Sequence, residues 1–579
     1  MSQKNYPLNL IYEIGRVNVS FDKIPDSERK IGRNCLALSE TEDLVIQLLE
    51  DKAKELFKTY EVPVENYCIE QDAFGNLFVT LYGEEKDSPA IASGSHIDSV
   101  LDGGQFDGVV GVVSAYRFLE NLIKSKQVPK KNYKLVIFRA EESSPKTGVC
   151  CLGSRIATGT IDEDELNKIQ YKLCGGSEVS LKDFIEKKYG VDKWLNILVE
   201  IKNPPLTKET VAVMEELHIE QSRVCEITHK NLGIVIDGIG GARREKIQIP
   251  VEHLLSEKIE IKDNSHTQFN LCFIGEEAHT GGTPPNPNFI QKNQEIWYRR
   301  DALVSASYFL EQLATQCQKQ KINFEIKEFK ADRETGFTTV PKKQILEIVA
   351  GNKQVEVLQK IINSLNSQIQ KDQDIDIEVV KNSLLSGDYN FWNKKKITKL
   401  AGISLVVEKN IREAVNVQGG IGKIRGTVTD FILDRENGLR FNIDYREVDQ
   451  VELEKIVEKI DQEIQQILKT TCAYSITKKD NPKIWRTLSV KPSTKISAEL
   501  TKIKKAIAGK LGLTFIEMPS MAGHDAVSMS QADIPTTMIF VKHDGVSHNS
   551  SENITVENYS NAEYLSHAFL AEQLGVKFK

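Results

Sequence analysis

The stretch GSHIDSVLDGGQFDGVVGV, residues 94–112, decides how the chain is read. It continues a short apolar run, PAIASGS at Pro89–Ser95, and passes into GVVGVVSAYRFLENLIKS from Gly108. An apolar run bounded by turn residues predicts a buried strand, and the apolar segment after it predicts a helix. His96 and Asp98 stand two residues apart at the strand end, which puts both on one side of an extended chain. There the carboxylate can accept a hydrogen bond from the imidazole, fix its tautomer and leave the other nitrogen for a metal. Asp107 follows in GGQFDG, whose glycines allow a sharp turn and close backbone approach. The helix N-terminus behind it favours anionic groups.

Two more segments repeat the pattern. Lys134–Phe138 (KLVIF) leads into Glu141 and Glu142 within RAEESSP, and Thr537–Val541 (TMIFV) leads through a loop into His548 within DGVSHNSSEN. Strand, helix, strand predicts a parallel sheet, and such sheets gather ligands at the carboxyl ends of their strands. Two adjacent glutamates there repel each other, and a cation relieves the repulsion. One can bind a metal while the other takes a proton. In EELHIEQ, Glu215–Gln221, alternation predicts a strand with His218 and Glu220 on one face. The spacing of His548 and Glu552 suits a helix, but the flanking Gly and Ser argue for a loop.

Each motif alone has an ordinary explanation: a glycine-rich turn, a solvated Glu pair, a hydrogen-bonded histidine. Together they say more. Of 10 histidines, His96, His218, His524 (in GHDAVSM) and His548 fall in these motifs, and His279 falls in GEEAHTGGTPP. Mixed His and carboxylate ligands suit Zn²⁺, and also Mn²⁺ or Co²⁺. An Asp shared by two ions makes a two-metal centre.

The rest of the chain sets bounds. Its 579 residues, 40% hydrophobic and 27% charged, are ordinary for a globular protein. A net charge of −7 without a basic block argues against a nucleic-acid partner. No segment approaches the roughly 20 apolar residues of a membrane span. The polar N-terminus lacks a secretory apolar stretch. With 9 Cys and no paired framework, the expectation is a cytoplasmic chain with reduced thiols. The expected architecture is α/β: a metallohydrolase catalytic domain with a central mixed, largely parallel sheet, built from 1–233 and 456–579. An α+β lid or dimerisation domain, 234–455, is inserted into it. Residues 319–415 form extra length in that insert, with an amphipathic helical pattern, QVEVLQKIINSLNSQIQK. No internal repeat is visible.

The motifs GSHIDSVLDGGQFDGVVGV, FRAEE, LGSRIATG, ELHIEQS, AHTGGTP, RRDAL, FNIDYR, AGHDA and MIFVKHDGVSHNSSE run in this order from about position 90 to 560. The series resembles the M20 metallopeptidase superfamily. Within it the match is to the amidase/hydantoinase/carbamoylase branch of N-carbamoyl-L-amino-acid hydrolases, bacterial-type β-ureidopropionases and allantoate amidohydrolases. The resemblance implies two divalent ions: one on His96, Asp107 and His218, the other on Asp107, Glu142 and His548. It implies Glu141 as general base and acid, and Asp98 behind His96. Glu552 is the matching supporting carboxylate near His548. Gln221, His279 and Arg446 are implied at the substrate, with His279 also stabilising developing charge. A homodimer through the inserted domain and a small ureido or carbamoyl amino acid substrate complete the picture.

The chain departs from the family on the substrate side. An Asn-bearing stretch before the Arg446 strand reads GTVTDFILDRENGLRFNIDYR here, with Asn437 as candidate equivalent. The EEGxRF-like turn reads EESSPKTG. These changes keep two alternatives open: an aminoacylase or peptidase with altered lid specificity, and a catalytically silent binding protein on the same fold.

Overall fold

The computed structural model describes residues 8–17, 32–143, 146–173, 177–222, 224–261, 265–275, 278–279, 300–332, 339–373, 375–384, 387–417, 424–472, 484–545 and 547–577. They form two compact units, one from Met1–Ile239 with Thr494–Lys579, the other from Gly240–Ser493. The inserted unit thus ends near 493, where the sequence suggested 455. The reason is packing. Leu453, Val457, Ile460, Ile464 and Leu468 of the helix Gln450–Cys472 belong to the core of the inserted unit. The strand Trp485–Lys491 pairs with Gly241–Ile249 in the same sheet.

The first unit is built on eight strands: β1 (Tyr67–Gln71), β2 (Leu77–Leu81), β3 (Ala90–His96), β4 (Tyr133–Phe138), β5 (Val211–Ile219), β6 (Leu232–Ile239), β7 (Phe515–Ser520) and β8 (Thr536–Val541). Their order across the sheet is β1-β2-β4-β3-β5-β8-β6-β7. β3 runs parallel to β4 and β5, β5 to β8, and β6 to β7. β1, β2 and the β8–β6 contact are antiparallel. The sheet is therefore mixed with a parallel centre. β3 and β8 are buried along their whole length, as strands covered on both faces must be.

The helix Val109–Ser125 follows β3 and buries Val109, Val112, Val113, Leu119 and Leu122 against the sheet. Its entry residue Gly108 has φ +68°, and a Cβ there would stand 2.5 Å from the His96 ring. Only glycine fits, so the loop that carries Asp107 can lie directly against His96. The helix Val556–Leu574, capped by Thr555, packs Leu565, Phe569 and Leu570 into the same core.

The second unit holds a ten-stranded sheet whose described pairings are all antiparallel. Its helices share one apolar core with that sheet. RRDAL has a local role here: Asp301 caps the helix Ala302–Lys319 by accepting Leu303 N and Val304 N. Asn437 is exposed in the tight turn between the strands Ile424–Asp434 and Gly438–Glu447, followed by Gly438 at φ +81°. The turn spans residues 435–437 and closes on Gly438, whose positive φ suits glycine. Among the described residues no helix is long and apolar enough to cross a membrane.

Candidate metal centre

Because β3, β4, β5 and β8 run in one direction, their carboxyl ends open on one side. His96 ends β3, Glu141 and Glu142 follow β4, His218 lies one residue from the end of β5, and His548 follows β8. Asp107 stands among them. Its Oδ1 is 3.2 Å from His218 Nε2 and 4.0 Å from His96 Nε2. Its Oδ2 is 3.3 Å from His548 Nε2, which lies 3.4 Å from Glu142 Oε1. Two donor groups therefore share one carboxylate: His96, Asp107 and His218, and Asp107, Glu142 and His548, with ligand atoms in each group within 4.8 Å of one another.

The contact between the two histidines bears most on what the cluster holds. His96 Nε2 and His218 Nε2 face each other at 3.3 Å. His218 Nδ1 lies 2.9 Å from the Ile219 carbonyl, an acceptor, so that nitrogen carries the proton. His96 Nδ1 faces the Asp98 carbonyl at 3.2 Å and Asp98 Oδ1 at 3.4 Å, again acceptors. Both inner nitrogens thus present lone pairs to the same point, beside Asp107. Lone pairs converge in this way on a cation. The rings are 1% and 2% exposed, so water cannot screen them. The donor set fits divalent metal ions.

The ionisation pattern agrees. Burial lowers the affinity of His96 for a proton, but the Asp98 hydrogen bond and the charges of Glu141 and Asp107 raise it well above the ordinary value. Burial holds His218 down to about 4. The carboxylates around His96 and the burial of His218 thus push the two facing imidazoles in opposite directions. Burial pushes Glu142 up to about 7 and Glu141 well above the usual carboxylate range. Against burial, the charges of Glu142 and Asp107 lift His548 to about 9.

Backbone geometry holds the glutamates. Asp98 Oδ1 accepts Glu141 N at 2.9 Å and Oδ2 accepts Glu142 N at 3.0 Å. Ala140, just before them, sits at φ +51°, a left-handed turn that a Cβ disfavours. Glu42 pins it: Oε1 accepts Ala140 N at 2.9 Å, and Oε2 accepts Arg139 Nε at 2.8 Å. Three successive amides, 140 to 142, each end on a buried carboxylate. Glu552 acts on the other side, its Oε1 accepting Phe106 N at 2.9 Å and Asp107 N at 3.1 Å. Gln221, expected at the substrate, donates from Nε2 to Asp107 Oδ1 at 3.1 Å.

Arg446 and His279 belong to the second unit. Arg446 Nε donates to Asp444 Oδ2 at 2.8 Å along its own strand. His279 lies in a two-residue strand, Ala278–His279, paired with Thr339–Val340. Its side chain lies outside the described residues.

Three residues at the centre had no role assigned from sequence. Glu216 Oε1 accepts Ser95 Oγ at 2.7 Å, and with His218 and His524 it forms a third donor group. Alternation along β5 puts Glu216 on the face of His218, and that signal was available. The His524 ring packs edge-on against His218, with centroids 4.5 Å apart. Cys151 Sγ donates to Glu141 Oε1 at 3.1 Å; nothing in a CC pair announces this. Glu220, expected on the His218 face, instead accepts Cys225 N at 2.9 Å beyond the strand end.

Comparison with known proteins follows the same lines. The family model for peptidase family M20/M25/M40 matches residues 92–572, covering every donor above. The chain belongs to peptidase family M20/M25/M40. Among M20 relatives, it is 34% identical over 167 residues to a ureidoglycolate hydrolase of Arabidopsis thaliana, covering 29% of this chain and 34% of that one. It is 26% identical over 290 residues to an N-carbamoyl-L-amino-acid amidohydrolase of a Pseudomonas species, covering 48% and 58%. The matches therefore span between 34% and 58% of these curated relatives. An amidase of the hydantoinase/carbamoylase family from Burkholderia multivorans shares the fold, with a TM-score of 0.52 and 16% identity over 99% of this chain and 98% of that one. M20 hydrolases bind divalent metals, and the candidate ligand groups here agree with that.

Proposed function

We propose that the chain is a two-metal hydrolase of linear amide bonds other than peptide bonds, acting on N-carbamoyl amino acids or related ureido acids such as allantoate or ureidopropionate. One observation carries it: the facing Nε2 atoms of His96 and His218 beside an Asp107 shared with His548 and Glu142. His96, Asp107 and His218 would hold one ion, and Asp107, Glu142 and His548 the other. Zn²⁺ suits this donor set best, with Mn²⁺ or Co²⁺ as further candidates. Bound there, the ions supply Lewis acidity toward a carbonyl and water activation near neutral pH.

The chain's own residues then have separate tasks. Glu141 Oε2, 3.9 Å from His96 Nε2, takes the proton of the attacking water and returns it to the leaving nitrogen. Its raised proton affinity, caused by burial, suits both halves of that exchange. Asp98 fixes His96 and the Glu141 amide together. Gln221 steadies Asp107. His279 and Arg446 are assigned to the substrate, Arg446 as the partner of a substrate carboxylate. The names of the curated relatives, a ureidoglycolate hydrolase and an N-carbamoyl-L-amino-acid amidohydrolase, support the ureido class.

A second reading, an aminoacylase or peptidase, rests on the altered stretch GTVTDFILDRENGLRFNIDYR that leads into Arg446. Metal-reconstituted protein offered N-carbamoyl-L-amino acids, ureidopropionate, allantoate, acylated amino acids and dipeptides separates the two. Ammonia release from the ureido acids supports the proposal. Turnover of acylated amino acids or dipeptides alone replaces it.

A further inference from the structure

The ten-stranded sheet contains the same fold twice. Four strands and two helices make an inner half: His266–Ile274, helix Ala302–Lys319, Glu325–Ala331, Lys343–Gly351, helix Val355–Gln373 and Asp376–Ser383. In that chain order the strands are first to fourth, and across the sheet they run fourth, first, third, second. The outer half comprises Gly241–Ile249, helix Lys394–Val417, Ile424–Asp434, Gly438–Glu447, helix Gln450–Cys472 and Trp485–Lys491. It too runs fourth, first, third, second. Each half is β-α-β-β-α-β.

The inner half is inserted in the outer half, between its first strand and first helix. The chain leaves by Leu255–Ile261 and returns by Gly387–Trp392, and these two strands pair with each other. The extra length of the insert is thus a whole second half rather than residues 319–415.

The halves meet through equivalent strands. The second strand of each lies at its open edge, and these two edges pair antiparallel, with Lys330 opposite Ile432. Equivalent edges joined antiparallel are what two copies related by a two-fold axis would make. Here both copies lie on one chain and share one core.

The halves have also diverged in a complementary way. In the second helices, buried Leu358, Ile362, Leu365 and Ile369 match buried Leu453, Val457, Ile460 and Ile464 at the same spacing. That alignment places Gly351 where Arg446 stands. Across the sheet, His266 lies opposite Gly351 and Ala242 opposite Arg446. Counting on from those residues places Leu255 where His279 stands. The inner half keeps the histidine without the arginine, and the outer half keeps the arginine without the histidine.

We propose that the two halves are each other's partner: the protein is a monomer, and a single chain supplies His279 and Arg446 from different halves to one functional unit. This replaces the homodimer expected from sequence. The roles of the two residues rest on the hydrolase function proposed above; the monomeric state does not. Sedimentation velocity of the wild-type chain tests the second point without any assay. A species of one chain, 65.2 kDa, is expected, and a two-chain species overturns the proposal. The first point is tested by mixing inactive His279→Ala and Arg446→Ala proteins after co-refolding, with Arg446→Lys as an alternative if loss of the Asp444 pair prevents folding. No recovery beyond the sum of the two is expected. Recovery of about a quarter of wild-type activity, the statistical share of repaired sites in a mixed dimer, overturns it. A wild-type chain inactive on every substrate counts against the hydrolase function and leaves the sedimentation result standing.

Discussion

Asp98 accepts the backbone amides of both Glu141 and Glu142 while its carboxylate also faces the Nδ1 of His96. One side chain therefore aligns a ligand from β3 with two glutamates from β4. Asp98→Asn keeps the shape but loses one acceptor oxygen and the charge behind His96. Supporting partners of this kind change metal affinity or activity by about 10–100-fold. Calorimetric titration of the metal-free protein should show a loss of that size. An unchanged affinity would mean that Asp98 does not support the ligand.

Glu141 is the proposed proton carrier, and it stands apart from all three three-residue donor groups found among the described residues. Glu141→Gln should lower kcat by about 10²–10⁴-fold, the usual share of general acid–base catalysis. Bound metal should stay at the wild-type level. Steady-state kinetics and elemental analysis of the same sample check both halves; intact turnover would remove Glu141 from the mechanism.

Much of this centre was visible in the sequence because a parallel sheet converts distant strand ends into neighbours. His96, Glu142 and His548 each follow an apolar run, His218 stands in an alternating one, and the four strands are adjacent in the sheet. Cys151 and His524 reach the site through turns whose direction no periodicity encodes. The doubled second unit was invisible for a different reason. One half interrupts the other, so no tandem period exists, and the halves share the spacing of core residues rather than their identities.

Glu42 and Arg139 form a buried pair, with side chains 0% and 5% exposed, beneath the left-handed turn at Ala140. Asp43 also pairs with Arg139, so removing Glu42 leaves the guanidinium one carboxylate but strips Arg139 Nε and Ala140 N of their acceptor, at a cost of about 1–3 kcal/mol. Glu42→Ala should lose that much in chemical denaturation. A loss below about 1 kcal/mol would mean that water reaches Arg139.

Metal binding should release protons. Without ions, Glu142 titrates near 7 because of burial, and His548 near 9, where the charges of Glu142 and Asp107 outweigh burial. Both must be deprotonated to act as ligands. The ion-free chain holds protons that the loaded chain lacks, on His96 as well as on these two, so apparent affinity rises with pH from about 7 through 9. Titrations in buffers of different ionisation enthalpy measure the protons released. A flat profile across that range would contradict the assignment of these two ligands.

The central claim is a two-ion centre on five residues, and the most direct measurement is the number of divalent ions retained per chain. The protein is stripped with chelator, reconstituted with Zn²⁺ or Mn²⁺, desalted and analysed by mass spectrometry of the elements. Two ions per wild-type chain are predicted. A wild-type chain that retains one ion or none would contradict the account.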